Sequence, residues 1–227
     1  MARGLFLCIE GGDGSGKTTE HAMLAKQLRS AGYTVETVDF PQYGQPSAEL
    51  VTAYLNNEFG PATELDPRLA SVLFAIDRLA AKDHIQAALD QGAFVLANRF
   101  TASNMAHQAA KIQDEAKQVE FFRWVHQFEH GVLGIPEPDH HFLLHLPAAT
   151  ALQRIKNRAS RSGSGKSLDG HETDLDYQVR AEKRYLGLAA TFPEKFTVIE
   201  CVDDTHEKTP QEINSEIWEY VAQLVKK

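Results

Sequence analysis

Gly11-Gly12-Asp13-Gly14-Ser15-Gly16-Lys17-Thr18 is entered from the apolar run Leu5-Phe6-Leu7-Cys8-Ile9 and left through Thr19, Ala22, Met23, Leu24 and Leu28. Glycines in the spacing G-x-x-x-x-G-K-T let successive backbone N–H groups turn toward one centre, where a polyphosphate sits on the positive end of the following helix. Lys17 is then placed to bridge the outer phosphates, and Thr18 to hold Mg²⁺. An apolar strand before and a helix after distinguish a phosphate-binding loop from an ordinary glycine-rich turn. Residues 11–19 are therefore expected to bind a nucleotide.

Working outward, the first helix is expected to run to about Ser30, where Gly32 ends it, with a second strand over Tyr33 to Phe40. Pro41 stops that strand, and Phe40-Pro41-Gln42-Tyr43-Gly44-Gln45-Pro46 reads as a rigid loop before a helix capped by Ser47. Asp66-Pro67 starts a long helix, with apolar residues at Leu69, Leu73, Ile76, Ala80 and Ile85, that is expected to continue to Gly92. Ala93 to Ala97 is continuously apolar, the signature of a parallel strand covered on both faces, and its exit carries Asn98-Arg99-Phe100. Two helical stretches follow until Gly131 and Gly134 break the pattern, and Pro136-Glu137-Pro138 introduces a fourth strand, His140 to Leu146. A helix over 147–157, a helix over 172–191, a strand Phe196 to Cys201 and a helix from about Gln211 to Val225 complete the chain. Strands alternating with helices imply a five-stranded parallel sheet with helices on both faces, an α/β architecture of three layers whose ligands lie at the carboxyl ends of the strands.

The 227 residues carry no Pro/Gly/Ser-rich linker that would divide them, and they are expected to form one domain. No apolar run approaches membrane-spanning length, and no charged-then-apolar leader is visible, so a cytoplasmic location is expected. A net charge of -8 disfavours a general nucleic-acid surface. Cys8 and Cys201 fall inside predicted strands, where free cysteine behaves as a small hydrophobe.

The only low-complexity segment is Arg158-Ala159-Ser160-Arg161-Ser162-Gly163-Ser164-Gly165-Lys166-Ser167. Flexible residues carrying three cations fit a lid over 158–171 that closes on phosphate. Its Gly163-Ser164-Gly165-Lys166-Ser167 imitates a second phosphate loop, but a helix and not a strand precedes it. The loop at 11–18, the Phe40-Pro41 corner and Arg99 meet at one edge of the predicted sheet. Together with the lid arginines they point to a site for two phosphorylated molecules, a donor and an acceptor. A phosphate monoester acceptor is already an anion, so transfer needs positioning and charge neutralisation and no general base.

The chain resembles the thymidylate kinase family over nearly its whole length. Ile9 to Thr19 resembles that family's phosphate loop, and Asp39-Phe40-Pro41-Gln42-Tyr43-Gly44 its Phe-Pro corner. Leu73-Phe74-Ala75-Ile76-Asp77-Arg78 resembles its base-binding helix, and Asn98-Arg99-Phe100-Thr101-Ala102-Ser103-Asn104 its Asp-Arg-Tyr segment with the following Ser-Asn. Leu168-Asp169-Gly170-His171-Glu172 resembles the end of its lid. The resemblance implies a P-loop NTPase fold with a mobile lid, phosphoryl transfer from ATP to dTMP in dTTP biosynthesis, Mg²⁺ as cofactor and a homodimer. It implies that Phe74 stacks on thymine, Arg78 donates to O4, and Asn104 both accepts from N3–H and donates to a carbonyl. It also implies that Asp13 and Arg99 organise the acceptor phosphate, that Phe40, Pro41, Tyr43 and Ser103 line the substrate site, and that Lys17, Arg99, Arg158 and Arg161 are catalytic. Lys166 is a further lid cation, and Glu172 lies near the acceptor sugar or Mg²⁺, or else is a first-turn acid favoured by the helix dipole.

The chain departs from the family pattern at four positions. Asn98 stands for its aspartate and cannot supply that charge. Phe100 stands for tyrosine or histidine, and His107 for a tyrosine packed on deoxyribose, which implies looser rejection of a 2′-hydroxyl. Ser15 stands where some members have arginine, which leaves the catalytic cations to the lid. Two other functions remain open from the residues alone: a kinase for another nucleotide or a deoxynucleoside, and a nucleotide-binding switch that signals by loop movement.

Overall fold

A computed structural model of the chain describes residues 3–162, 175–203 and 206–225, the side chains of 158–162 excepted. Five strands, β1 (Phe6–Gly11), β2 (Val35–Asp39), β3 (Phe94–Asn98), β4 (His140–His145) and β5 (Phe196–Glu200), form one sheet in the order β2-β3-β1-β4-β5. Every pairing is parallel, with Leu7 opposite both Leu96 and His140, and Asp39 opposite Asn98. The helices are α1 (Lys17–Ser30), α2 (Glu49–Leu55), α3 (Pro67–Ala80), α4 (Lys82–Asp90), α5 (Thr101–Ala109), α6 (Glu115–His126), α7 (Ala148–Ser162), α8 (Leu175–Thr191) and α9 (Pro210–Leu224).

The period of two along β1 explains the layering. Leu7 and Ile9 join Leu24 and Leu28 of α1 and Ile213 and Ile217 of α9, while Phe6 and Cys8 join Ile85 and Leu89 of α4 on the opposite face. A third cluster, Met105, Phe121, Phe122, Val125 and Leu188, binds α5, α6 and α8 together. The C-terminal edge of this double-covered sheet is where β1 passes into the phosphate loop and β3 into α5.

Two expected elements take another form. The single helix from Asp66 toward Gly92 is two, because α3 ends at Ala80 and α4 begins at Lys82. No proline or glycine marks the break. It arises because Ile85 and Leu89 bury against the sheet while Ala70, Ser71 and Arg78 bury elsewhere, and one straight helix cannot serve both faces. The start of α3 follows expectation, with the Asp66 carboxylate accepting from the N–H groups of Arg68 and Leu69 and Pro67 at the first position. The helix expected to end near Asn157 continues through Ser162, so α7 includes the first residues of the predicted lid. The remainder of that lid, including Lys166 and Glu172, lies outside the described residues.

Both cysteines are buried; burial raises the Cys8 thiol and pushes Cys201 up to about 12, so neither is a thiolate near neutral pH. Among the described residues no helix is long and apolar enough to cross a membrane. Glu20 of α1 is 1% exposed, and burial pushes its carboxyl up to about 7. The folded state therefore binds this proton more tightly than the unfolded chain, and stability falls as pH rises from about 4.5 to 7. Glu20→Gln is expected to leave the melting temperature nearly unchanged at pH 5 and to raise it at pH 8, by up to about 3 kcal/mol of stability. Thermal melts at the two pH values measure this.

Candidate active site

The phosphate loop is held by direct backbone packing. A side chain at Gly11 would come within 2.6 Å of the Leu144 carbonyl oxygen, and one at Gly14 within 2.8 Å of that of Ala151. Both positions also have positive φ, so β4 and α7 press on a loop that only glycine can form there. Gly16 caps α1 at φ 101°, and the buried Lys17 donates from Nζ to the Gly12 carbonyl at 2.6 Å. Thr18 and Thr19 occupy the first turn of α1, at the positive end of its dipole. Ser15 is buried, and its hydroxyl has no hydrogen-bond partner. A buried polar atom without a partner in a loop of this sequence fits a site that an anion completes.

Arg99 leaves β3 at φ 63°, a strained conformation for a side chain of this size. Its backbone N–H bonds to the Ile9 carbonyl, and Glu10, fully buried, accepts from the Phe100 N–H and from the Ser103 hydroxyl. This turn aims the guanidinium across the end of the sheet. It pairs with Asp13 of the phosphate loop and also donates to the Gly11 carbonyl, Ser103 Oγ and the Tyr185 hydroxyl, each at 3.2 Å, while His107 Nε2 lies 3.3 Å away. Burial alone would raise the Asp13 carboxyl, but Arg99 and Lys17 override it and hold the group well below the usual carboxylate range. Burial would likewise lower Arg99, yet Asp13 and its neighbours raise it. The pair is therefore ionised at every working pH.

A cleft of about 680 Å³, counted out to its open mouth, runs from Asp13 and Arg99 to the α3 side. That is an ordinary size for a small-ligand site. Its walls include Phe40, Pro41 and Tyr43 at the corner, Phe74 and Arg78 of α3, and Ser103, Asn104 and His107 of α5. Phe40-Pro41 is a cis peptide. Phe74 is half-buried and backed edge-to-face by Tyr54 at 5.8 Å.

Two carboxylates that sequence reasoning left unassigned hold these walls. Glu129, fully buried in the π-helical turn Gln127–Val132, accepts from Arg78 Nε and Nη2 at 2.6 Å each, from Thr101 Oγ1 at 2.7 Å and from Asn104 Nδ2 at 2.9 Å. Burial would raise its carboxyl, but Arg78 and these hydrogen bonds lower it. Asn104 Nδ2 also donates to the Ser71 carbonyl, leaving Oδ1 buried and without a partner. The orientation of the amide is thus fixed, its donor half engaged and its acceptor half unpaired. Asp77, 1% exposed beside Arg78, accepts from the Gln42 N–H and from the Ser47 hydroxyl, which ties the Phe-Pro corner to α3.

Helix α8 closes the cleft from the other side. Tyr177 stacks on His107 at 6.0 Å and bonds its Nδ1, and Gln178 donates to Asp13. Tyr177 thus supplies beside His107 bulk that an imidazole lacks. His145, the last residue of β4, is gripped by Glu182 and Glu200, which raise its pKa against the effect of burial. Among the described residues no cluster of three or more His, Cys, Asp or Glu residues could hold a metal. Arg158 and Arg161 lie on the last turns of α7, and their side chains are outside the described residues.

Residues 9–213 match the model of the thymidylate kinase family. The thymidylate kinase of Mycobacterium tuberculosis (strain H37Rv) is 36% identical over 187 residues, covering 82% of this chain and 86% of that protein. That of Deinococcus radiodurans is 31% identical over 224 residues, 98% of each. A solved thymidylate kinase from Candida albicans, 24% identical, superposes with a TM-score of 0.74 over 98% of this chain and 93% of its own, and has the same fold. A phosphate loop, a cleft and a family model spanning both lead to one conclusion: the chain belongs to the thymidylate kinase family.

Proposed function

We infer that the cleft takes dTMP and the phosphate loop takes ATP. As a thymidylate kinase, the chain is a nucleoside monophosphate kinase, a phosphotransferase that makes dTDP and ADP from dTMP and ATP. The observation that carries the assignment of sites is the shape of the cleft: a cationic end, Arg99, lies against the phosphate loop, and an apolar end with fixed hydrogen-bonding groups lies away from it.

In this reading the monophosphate of dTMP meets Arg99 and thymine stacks on Phe74. The Asn104 Oδ1 acceptor takes N3–H, while Arg78, anchored through Nε and Nη2 on Glu129, turns its remaining nitrogen to the O4 carbonyl. Cytosine would present an unprotonated N3 to an acceptor and an amino group to a donor, and both contacts would be lost. Asp13 is too strongly held as an anion to take a proton; its work is to orient Arg99. The acceptor oxygen needs no base, and Lys17, Arg99, Arg158 and Arg161 spread the charge of the transferring group. Thr18 would hold Mg²⁺, whose charge would offset that of the nucleotide's phosphates. The whole chain works as one kinase domain, with 158–171 as its lid.

An exposed apolar stripe on α3, made of Leu69 (53%), Ile76 (40%) and Leu79 (36%), supports a homodimer. Ile76→Asp is expected to shift the species seen by sedimentation from two chains to one.

A coupled ADP-release assay tests the function. dTMP is expected to be turned over with kcat/KM at least about 10²-fold above dCMP. Preference for thymidine would indicate a nucleoside kinase, and ADP release independent of any acceptor would indicate a nucleotide-binding switch. Glu129→Gln leaves Arg78 buried without its counter-charge and is expected to cost about 3 kcal/mol of stability. In the folded fraction it should raise the KM for dTMP about tenfold, ~1.4 kcal/mol, with the KM for ATP unchanged. Steady-state kinetics below the melting transition read both.

A further inference from the structure

In nucleotide-binding folds of this type the metal is shared between the hydroxyl of the phosphate loop and an aspartate at the end of a neighbouring strand. The neighbouring strand here is β3, and its last residue is Asn98, which carries no charge. The Asn98 amide nitrogen donates to Asp39 Oδ1 at 2.6 Å and reaches Thr18 Oγ1 at 3.4 Å. Asp39 is the last residue of β2 and the direct partner of Asn98 in the sheet register. One amide nitrogen therefore links the loop hydroxyl to a carboxylate displaced by one strand. With its nitrogen so engaged, Asn98 keeps a buried Oδ1 that has no partner. Asp13, the carboxylate within the loop, is committed to Arg99.

Thr18 Oγ1, with the Asp39 carboxylate behind the Asn98 amide, offers the hard oxygen chemistry that Mg²⁺ prefers, in a number small enough for the ion to keep several waters. The residues fit the ion. We propose that Asp39 supplies the negative charge of the metal site, acting through the ion's water shell, and that Asn98 is the spacer that holds Asp39 in register. The carboxylate expected on β3 has moved to β2. This inference rests on the ATP reading of the phosphate loop.

The test is a charge swap, with Mn²⁺ as a paramagnetic substitute for Mg²⁺. Mn²⁺ affinity of the enzyme–ADP complex is measured by electron paramagnetic resonance for the wild type, Asp39→Asn, and Asp39→Asn combined with Asn98→Asp. ADP affinity in EDTA, dTMP affinity and the melting temperature are recorded for each. Asp39→Asn is expected to weaken Mn²⁺ about tenfold, as loss of an outer carboxylate does. ADP in EDTA and dTMP should bind as before, and the double variant should regain most of the lost affinity. Unchanged Mn²⁺ affinity in Asp39→Asn overturns the proposal, as does an equal loss in the double variant. Loss of dTMP affinity in step with Mn²⁺ also overturns it, because Asp39 would then be only a support for the Phe40-Pro41 corner. If Asp39→Asn does not fold, the double variant decides: wild-type Mn²⁺ affinity supports the swap and a tenfold loss refutes it. A wild type whose ADP complex binds no Mn²⁺ refutes instead the placement of metal at Thr18.

Discussion

The ion pair between Arg99 and Asp13 is the contact on which the rest of the site depends. It joins the phosphate loop after β1 to the turn after β3, and it does so from a residue at positive φ. Strain of that kind persists only where the surroundings over-determine it. Here Glu10 fixes the turn from below, while Gly11, Ser103 and Tyr185 fix the guanidinium from the sides. A buried pair is weak evidence of stability, because desolvation offsets much of its attraction. Its value lies in direction: one cation is held at the cleft end that adjoins the phosphate loop.

The far end of the cleft repeats this arrangement with different chemistry. Glu129 gathers Arg78, Thr101 and Asn104 onto one carboxylate and so fixes the orientation of each. A π-helical turn places it there, an irregularity that recurs at functional sites. In the proposed reading, selectivity for a base edge would thus come from a group that does not itself line the cleft.

What could be read from the residues was local. The phosphate loop, the Asp66-Pro67 helix start, the apolar third strand and Asn98-Arg99-Phe100 are each complete within about ten residues, and each carries its own physical signature. The resemblance to the thymidylate kinase family then pointed to Phe74, Arg78 and Asn104. The supporting carboxylates were not legible for the same reason. Glu129 lies 51 residues from Arg78, in a stretch whose glycines read only as a helix end. Asp77 sat inside a recognised motif, yet its partners Gln42 and Ser47 come from a loop 30 to 35 residues earlier. The split at Ala81 has no local marker, because it answers to two burial surfaces and not to propensity.

Strand β2 sits at the edge of the sheet, with a single neighbour, and the Phe-Pro corner hangs from its end. Half its backbone groups have no ladder, so the sheet is a weak guide for that corner. The stronger guide is the Asp77 carboxylate, which binds Gln42 and Ser47 and belongs to the helix that bears Phe74 and Arg78. Corner and helix therefore form one mechanical body, and the phosphate loop, clamped between β4 and α7, forms another. Arg99, paired with Asp13 of the loop, shares one cleft wall with both bodies, so the geometry of the cleft is set by how two separately braced units meet.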